Sequence, residues 1–139
     1  MSRNPNRSEV QNNVHDNVVS KIANDLQTKG YTVAADHINW PTRPPLINGH
    51  RPDVLAVLNS VQYIYEIETC ETYCDDHTEE QLNAFVNEEP NRTYCVVPKS
   101  CLDDNNNKVN CVNDFKKCLE KWGLQRYIKI LSYNTDKFL

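Results

Sequence analysis

The stretch that decides the fold is residues 51–69, which read RPDVLAVLNSVQYIYEIET. Two apolar runs, residues 53–58 and 61–68, flank a single Asn-Ser pair, and this pattern predicts an antiparallel hairpin with a two-residue turn. A turn of that length fixes the register, because residue pairs across the hairpin are counted outward from the turn. Asp53 is therefore expected directly opposite Glu66.

Three carboxylates come together in the predicted hairpin. Glu66 and Glu68 are two residues apart in one strand, so their side chains project from the same face, close to Asp53. Carboxylates this close repel one another and stay ionised together only beside a cation, and oxygen ligands favour Mg²⁺ or Mn²⁺. The carbonyl of Ile67 is an additional candidate ligand. A solvated polar sheet face is the alternative, but apolar Ile64 shares that face and argues against it.

Acidic residues are concentrated in the middle of the chain. Residues 53–90 contain ten Asp and Glu and no Lys or Arg, while the whole chain has a net charge of −4. A net negative charge argues mildly against strong nonspecific binding to nucleic acid. An acidic block is usually a solvated face, and its alternative meaning is a divalent-cation site with its surroundings.

The rest of the chain interleaves helices and strands. Its patterns predict helices between an N-cap at Ser8 and Gly30, from the cap Thr78 to 87 and over 112–122, strands over 31–35, 92–97 and 127–133, and a polar loop over 102–109. Mixed strands with interleaved helices predict an α/β sandwich. The 139 residues fit one domain, 1–139, in which residues 1–7 are expected to fray.

Composition favours a soluble protein inside the cell. No apolar run approaches the roughly 20 residues that span a bilayer, and the first residues lack the apolar core of a secretory signal. The expected cytoplasmic location in turn predicts that the six cysteines are free thiols. A zinc site built from Cys70, Cys74 and His77 is the alternative, although the chain has no Cys-x-x-Cys pair.

Residues 51–57 and 65–69, their hairpin and the following helix, which carries His77 and Gln81, resemble the PD-(D/E)xK nuclease superfamily. The resemblance extends over roughly residues 8–133. It implies a restriction-endonuclease-like fold, which is a three-layer α/β/α sandwich with a mixed central sheet. It also implies an Mg²⁺- or Mn²⁺-dependent endonuclease that hydrolyses phosphodiester bonds in nucleic acid, with DNA as the expected substrate.

The resemblance assigns metal ligands. Asp53 matches the aspartate of the motif and Glu66 matches its second acidic position, with the carbonyl of Ile67 between the two glutamates as a further ligand. Glu9 resembles the acid on the first helix that completes the metal shell in some members. A favourable position in the first helical turn is the alternative explanation of Glu9.

One position departs from the family. Glu68 stands where the family usually has a lysine that orients or deprotonates the attacking water. Glu68 is then either a third metal ligand or a general base, and Lys99, after the fourth strand, is a candidate substitute for the lysine. Gln81 resembles a glutamine that several nuclease branches carry in the helix after the motif.

Basic residues outside the acidic block are candidates for contact with nucleic acid, namely Arg43, His50, Arg51 and Lys99. The first three lie in the proline-rich loop 36–52, which leads directly to the acidic residues, and simple anchoring of that loop is the alternative. His15 and Asp16, on the first helix, are expected to be surface groups.

A catalytically inactive nuclease-like fold is the rival interpretation of the same residues. In that case Glu68 marks the loss of the lysine, and the chain is a nucleic-acid-binding or protein-interaction module. A nuclease domain this small offers little surface for recognition, so a homodimer or a larger assembly is expected for the leading interpretation. No membrane partner is expected.

Overall fold

The computed structural model describes residues 4–88 and 92–139. Its helices are α1 (Glu9–Thr28), α2 (Asp76–Glu88) and α3 (Cys111–Trp122). Its strands are β1 (Thr32–Ala35), β2 (Val54–Leu58), β3 (Val61–Ile67), β4 (Thr93–Pro98), β5 (Ser100–Leu102), β6 (Lys108–Asn110) and β7 (Ile128–Tyr133), and a short 3₁₀ turn follows at Thr135–Lys137.

Five of the strands form one mixed sheet in the order β1-β2-β3-β4-β7. Strand β2 runs antiparallel to both of its neighbours, β1 and β3, whereas β3, β4 and β7 run parallel. The predicted hairpin register is confirmed, because Val54 pairs with Tyr65 and Asp53 follows as the next residue outward, towards Glu66. Asn59 and Ser60 both have positive φ angles, 52° and 67°, as a tight hairpin turn requires.

Helices pack on both faces of this sheet, so the predicted α/β class is confirmed. Alternate residues of each strand point to opposite faces. One face packs against α1 in a cluster that includes Val14, Val18, Val54, Tyr65, Ile67 and Val96. The other face packs against α2 and α3 in clusters that include Leu55, Ile64, Leu82, Phe85, Val97, Phe115 and Leu119.

Two local predictions, the cap of α2 and the loop over 102–109, differ from the structure. Thr78 does not cap α2. The side chain of Asp75 accepts from the main-chain N–H of Thr78 instead, so the helix begins three residues earlier than a cap at Thr78 predicts. The polar stretch 102–109 contains parts of both strands of the small β5–β6 hairpin rather than a plain loop.

The beginning of the chain is also more ordered than predicted. Residues 1–3 of the tail that was expected to fray lie outside the described residues. Asn4 is buried, and Asn4 and Asn6 both donate side-chain hydrogen bonds to Asp75, at 3.0 and 2.9 Å. Residues 4–8 therefore form a strap, called here the N-terminal strap, across the segment that joins β3 to α2.

Four of the six cysteines are joined in two disulfide bonds, Cys70–Cys101 and Cys74–Cys118. The prediction of free thiols is wrong for these four residues, because it rested on the expected compartment rather than on which sulfurs the fold brings together. The zinc alternative fails for the same reason, since Cys70 and Cys74 are both bonded to other sulfurs. Cys95, in β4, and Cys111, at the start of α3, are buried thiols.

Both bridges start in the segment between β3 and α2, residues 68–75, called here the β3–α2 loop. Cys70 joins it to β5 and Cys74 joins it to α3. Within the described ranges, no helix combines the length and apolar character needed to cross a membrane.

Candidate functional site

Asp53 and Glu66 meet where β2 begins and β3 ends. Asp53 is 5% exposed and Glu66 is 3% exposed. The main-chain N–H of Asp53 donates to Glu66 Oε1 at 3.1 Å, and the N–H of Ile67 donates to Asp53 Oδ2 at 2.8 Å. The predicted pair is therefore fixed across the hairpin by hydrogen bonds in both directions.

His15, on α1, is a direct partner of this pair. Its Nε2 lies 3.1 Å from Asp53 Oδ1, and its Nδ1 lies 3.1 Å from Asp16 Oδ1. His15 is buried, so the expectation of a surface group is wrong for this residue. A sequence signal for its burial exists, because position 15 is three and four residues before the buried Val18 and Val19 on the same helix.

Glu68 occupies a separate polar pocket beside α2. It is 1% exposed, and its Oε1 accepts hydrogen bonds from the hydroxyls of Thr72 and Thr78, both at 2.7 Å. The hydroxyl of Tyr133 donates to its main-chain carbonyl at 2.6 Å. The two threonines come from the β3–α2 loop and from α2, so both elements hold this carboxylate in place.

The three carboxylates differ in their tendency to ionise. Burial raises the pKa of Glu66 well above its ordinary value, and the charges of Asp53 and Glu68 add to this effect. Burial also raises the pKa of Glu68 to about 7, although the Thr78 and Thr72 hydroxyls oppose the shift. Asp53 is the exception: burial raises its pKa, but His15, Arg7 and the hydrogen bond from the Ile67 N–H together hold it below the ordinary value.

The imidazole of His15 is the matching cation. Burial alone would lower its pKa, but the charge of Asp53 and the hydrogen bond to Asp16 raise it to about 9. At neutral pH the acidic cluster of Asp53, Glu66 and Glu68 therefore contains an ionised Asp53 beside a protonated His15, and Glu66 binds its proton more tightly than an ordinary glutamate. Crowded, buried carboxylates are expected to differ in this way, because the carboxylate beside a cation is stabilised in its ionised form and the others are not.

Arg7 brings a second positive charge towards the cluster from the N-terminal strap. Its Nε donates to Asn12 Oδ1 at 3.0 Å, on α1 and three residues before His15. The main-chain N–H and the hydroxyl of Ser8 both donate to Glu71 Oε1 at 2.8 Å, which fixes the strap to the β3–α2 loop. Burial raises the pKa values of Asp53 and Glu68, and the charge of Arg7 opposes this effect on both.

Two other predicted site residues, Gln81 and Glu9, lie on different helices. Gln81 is buried in α2, one turn after Thr78. Glu9 is exposed in the first turn of α1, directly after the N-cap Ser8. The residue of α1 that contacts Asp53 is His15 rather than Glu9.

The predicted nucleic-acid-binding residues make contacts of their own. Arg43 Nη2 lies 3.5 Å from Asp36 Oδ1, and His50 Nε2 lies 3.6 Å from Glu80 Oε1. Arg51 donates to the carbonyl of Pro44. These contacts agree with the loop-anchoring alternative, and they leave the predicted contacts with nucleic acid as predictions.

Lys99 is exposed directly after β4. With Lys108 it lines a surface cavity of about 420 Å³, in which Ser100, Val109 and Asn110 complete the wall. The carbonyl of Tyr133 accepts from the main-chain N–H of Lys99 at 2.8 Å, which places this lysine where β4 and β7 end. It therefore lies at the same edge of the parallel strands as the residue after β3, Glu68.

Among residues 4–88 and 92–139, no three or more His, Cys, Asp or Glu side chains are arranged to hold a metal ion. The smaller set that could hold one is the pair Asp53 and Glu66 with the carbonyl of Ile67, because the hydrogen bond from the Asp53 main-chain N–H holds the Glu66 carboxylate beside Asp53. Glu68, held by its threonines, is a neighbour of that set.

His15, Arg7 and the two threonines are the parts of the site that the motif did not indicate. Each comes from outside the hairpin, and only the folded chain brings it to the carboxylates. Comparison of the chain with protein-family models, curated proteins and solved structures gave no match. The function is therefore argued from the site itself.

Proposed function

We propose that this chain is a metal-dependent nuclease of the restriction-endonuclease-like fold, hydrolysing phosphodiester bonds in nucleic acid, with DNA as the expected substrate. The observation that carries the proposal is the pair Asp53 and Glu66, two buried acids in which the main-chain N–H of Asp53 donates to the Glu66 carboxylate. Burying two such groups side by side is unfavourable through desolvation and repulsion. Residues kept in this state are candidates for a functional role.

The order of the elements supports the proposed fold. Helix α1 precedes three antiparallel strands, α2 follows them, and β4 then lies parallel to β3. This is the arrangement that the motif resemblance implies around a PD-(D/E)xK site. In it, the motif carboxylates lie at the end of the β2–β3 pair, within reach of side chains from α1.

The donor set suits a hard divalent cation. Asp53 is already ionised, Glu66 can exchange its proton for the cation, and the carbonyl of Ile67 adds a neutral oxygen. When bound, Mg²⁺ or Mn²⁺ would polarise the scissile phosphate and lower the pKa of a water molecule. His15 helps to keep Asp53 ionised and holds its carboxylate in place beside Glu66.

Glu68 is the proposed proton acceptor. Its pKa of about 7 lies near neutral pH, where a general base is most effective, and its two threonines fix its orientation. Arg7 is the proposed source of the positive charge that the family's lysine normally supplies, since its charge acts on both Asp53 and Glu68. Basic residues outside the acidic block would then contact the phosphates of the nucleic-acid strand.

A cleavage assay tests the proposal directly. Single- and double-stranded DNA are incubated with the protein and Mg²⁺ or Mn²⁺, and cleavage is expected to need the cation. Asp53→Ala should reduce the rate about 100-fold or more, because loss of a ligand removes several kcal/mol of transition-state stabilisation. Asp104→Ala, in the exposed turn after β5, is the matched control and should leave the rate unchanged. Undiminished cleavage by Asp53→Ala would contradict the assigned site.

Calorimetry with Mn²⁺ alone tests cation binding separately from cleavage. Titration in two buffers of different ionisation enthalpy is expected to show proton release on cation binding, because burial raises the pKa of Glu66 and a bound cation would lower it again. The release should disappear in Glu66→Gln. Absence of binding heat in the wild-type protein would count against the enzyme.

A second candidate function is a binding module without catalysis. The observation that favours it is the state of Glu68, which replaces the lysine and whose Oε1 already accepts two hydroxyl hydrogen bonds. Such a module should bind DNA without cleaving it, and chelation of divalent cations should leave its affinity unchanged. Fluorescence anisotropy with and without chelator distinguishes it from the nuclease.

A further inference from the structure

Three sulfur atoms meet beside the β3–α2 loop. Cys70 and Cys101 form a disulfide bond, and the thiol of Cys111 lies 2.8 Å from the sulfur of Cys101. Cys111 is buried, so this contact is internal. A thiol in contact with a disulfide sulfur has the starting geometry for thiol–disulfide exchange.

We propose that Cys70, Cys101 and Cys111 form a thiol–disulfide exchange site that moves one bridge between two positions. Cys111 loses its proton to solvent, a step that burial slows by raising the pKa of this thiol, and its thiolate attacks the sulfur of Cys101. The Cys101–Cys111 bond forms as the Cys70–Cys101 bond breaks, and Cys70 leaves as a thiolate that takes up a proton. One disulfide and one thiol are present before and after the step, so no external oxidant or reductant is needed.

The β5–β6 hairpin keeps Cys101 and Cys111 together throughout. Its strands pair Cys101 with Val109 and Ser100 with Asn110, and Cys111 follows directly. The main-chain N–H of Cys111 also donates to the carbonyl of Lys99 at 3.1 Å. The attacking thiol and the sulfur under attack therefore lie on one rigid unit, and Cys70 is the partner that can leave.

The leaving partner connects the exchange to the acidic cluster. Cys70 is two residues after Glu68 and two residues before Thr72, whose hydroxyl binds the Glu68 carboxylate. After exchange, the β3–α2 loop remains fixed at Cys74 through the bridge to Cys118, but it loses its attachment to β5. The new state presents a free thiol at Cys70 and loosens the part of the loop that holds Glu68.

The first test uses Cys70→Ser, with the purified protein equilibrated in a glutathione redox buffer. Free thiols are then alkylated, and disulfides are located by peptide mapping without reduction. The expected result is a Cys101–Cys111 bridge. Cys111, which carries the label in the wild-type chain, should then be unlabelled in the variant, whereas Cys95 should be labelled in both. Label on both Cys101 and Cys111 would overturn the proposal.

The second test uses the wild-type chain, so that it does not depend on the folding of the first variant. A small maleimide in excess is expected to label Cys70 progressively, because each exchange event exposes its thiol. Cys111→Ser should abolish this labelling, whereas Cys95→Ser, which removes the other buried thiol, should leave its rate unchanged. Absence of label on Cys70 in the wild-type chain, or equal labelling in Cys111→Ser, would overturn the proposal. Neither test depends on the proposed hydrolysis.

Discussion

His15 controls the charge state of the acidic cluster. It is buried, its imidazole lies 3.1 Å from Asp53, and its pKa is raised to about 9. Replacing it by Gln leaves the Asp53 carboxylate buried without its cation. We expect His15→Gln to lower the free energy of unfolding by about 3 kcal/mol, the usual effect of removing one partner from a buried ion pair.

Urea unfolding at neutral pH measures this loss. His37→Gln, in the loop after β1, is the matched control, because the side chain of His37 accepts a local hydrogen bond from the nearby main-chain N–H of Asn39. The control should change stability by less than about 1 kcal/mol. Equal stability of the two variants would show that the contact between His15 and Asp53 contributes nothing to folding.

Glu68 gives the metal-free protein a dependence on pH. Because its pKa is raised from 4.5 to about 7, the folded chain binds this proton more tightly than the unfolded chain. The free energy of unfolding should therefore fall as pH rises through this range, by about 2 kcal/mol between pH 4.5 and 6.5. Glu66, whose pKa is also raised, acts in the same direction.

Other groups at the site act mainly outside that window. His15 contributes stability that is lost above pH 6.5, and Asp53, with its lowered pKa, contributes stability that is lost only at more acidic pH. Urea titrations of the wild-type chain and Glu68→Gln, both with a chelator present, compare the two slopes. The variant should show a clearly smaller fall, and an identical slope would exclude Glu68 as its source.

The sequence predicted the acidic residues but not their partners. Asp53 and Glu66 were found because a hairpin of fixed register relates residues that are close in sequence. His15 comes from a helix that ends well before the hairpin begins, and its contact arises only when α1 packs on the sheet. Thr78 was predicted as a helix cap from local pattern, whereas its hydroxyl is used by Glu68.

At the scale of elements, Asp75 joins the start of α2 to the N-terminal strap. One of its oxygens accepts from the main-chain N–H of Thr78 and the other accepts from Asn4 and Asn6. Asp75→Ala should lower the free energy of unfolding by about 1–2 kcal/mol, because it removes a helix cap together with the anchor of the strap.

Asp76→Ala is the control for this prediction, since Asp76 is an exposed acid in the first turn of the same helix. Its effect should be limited to the helix dipole, at about 0.5 kcal/mol. Thermal unfolding of both variants and the wild-type chain provides the comparison. Equal losses for the two variants would contradict the anchoring role of Asp75.

Prediction of the elements succeeded where the hydrophobic pattern was long. Helix α1 was predicted with its cap because apolar residues recur along its full length between Ser8 and Gly30. The β5–β6 hairpin was missed because its turn is polar and its strands have three residues each. Its turn is held by main-chain N–H groups of Asn105 and Asn107 that donate to the side chain of Asp103.

At the scale of the whole molecule, the predicted α/β class with a mixed sheet followed from the interleaving of helices and strands. The disulfide pairs could not be predicted in this way, because the paired cysteines are 31 positions apart in one bridge and 44 positions apart in the other. Bridges of this kind are typical of oxidising environments, which argues against the expected cytoplasmic location. The location and the homodimer both remain predictions.

Both bridges also determine what a protease cut would do. Cys70 and Cys74 lie before residue 75, and their partners Cys101 and Cys118 lie after residue 100. Hydrolysis of any one peptide bond between residues 75 and 100 therefore yields two polypeptides joined at two points. After limited trypsin cleavage at Arg92, we expect one band on a gel without reductant and two bands after reduction. The chain can in this way be converted into a covalent heterodimer. Its N-terminal part contains Asp53, Glu66 and Glu68, and its C-terminal part contains β4 to β7.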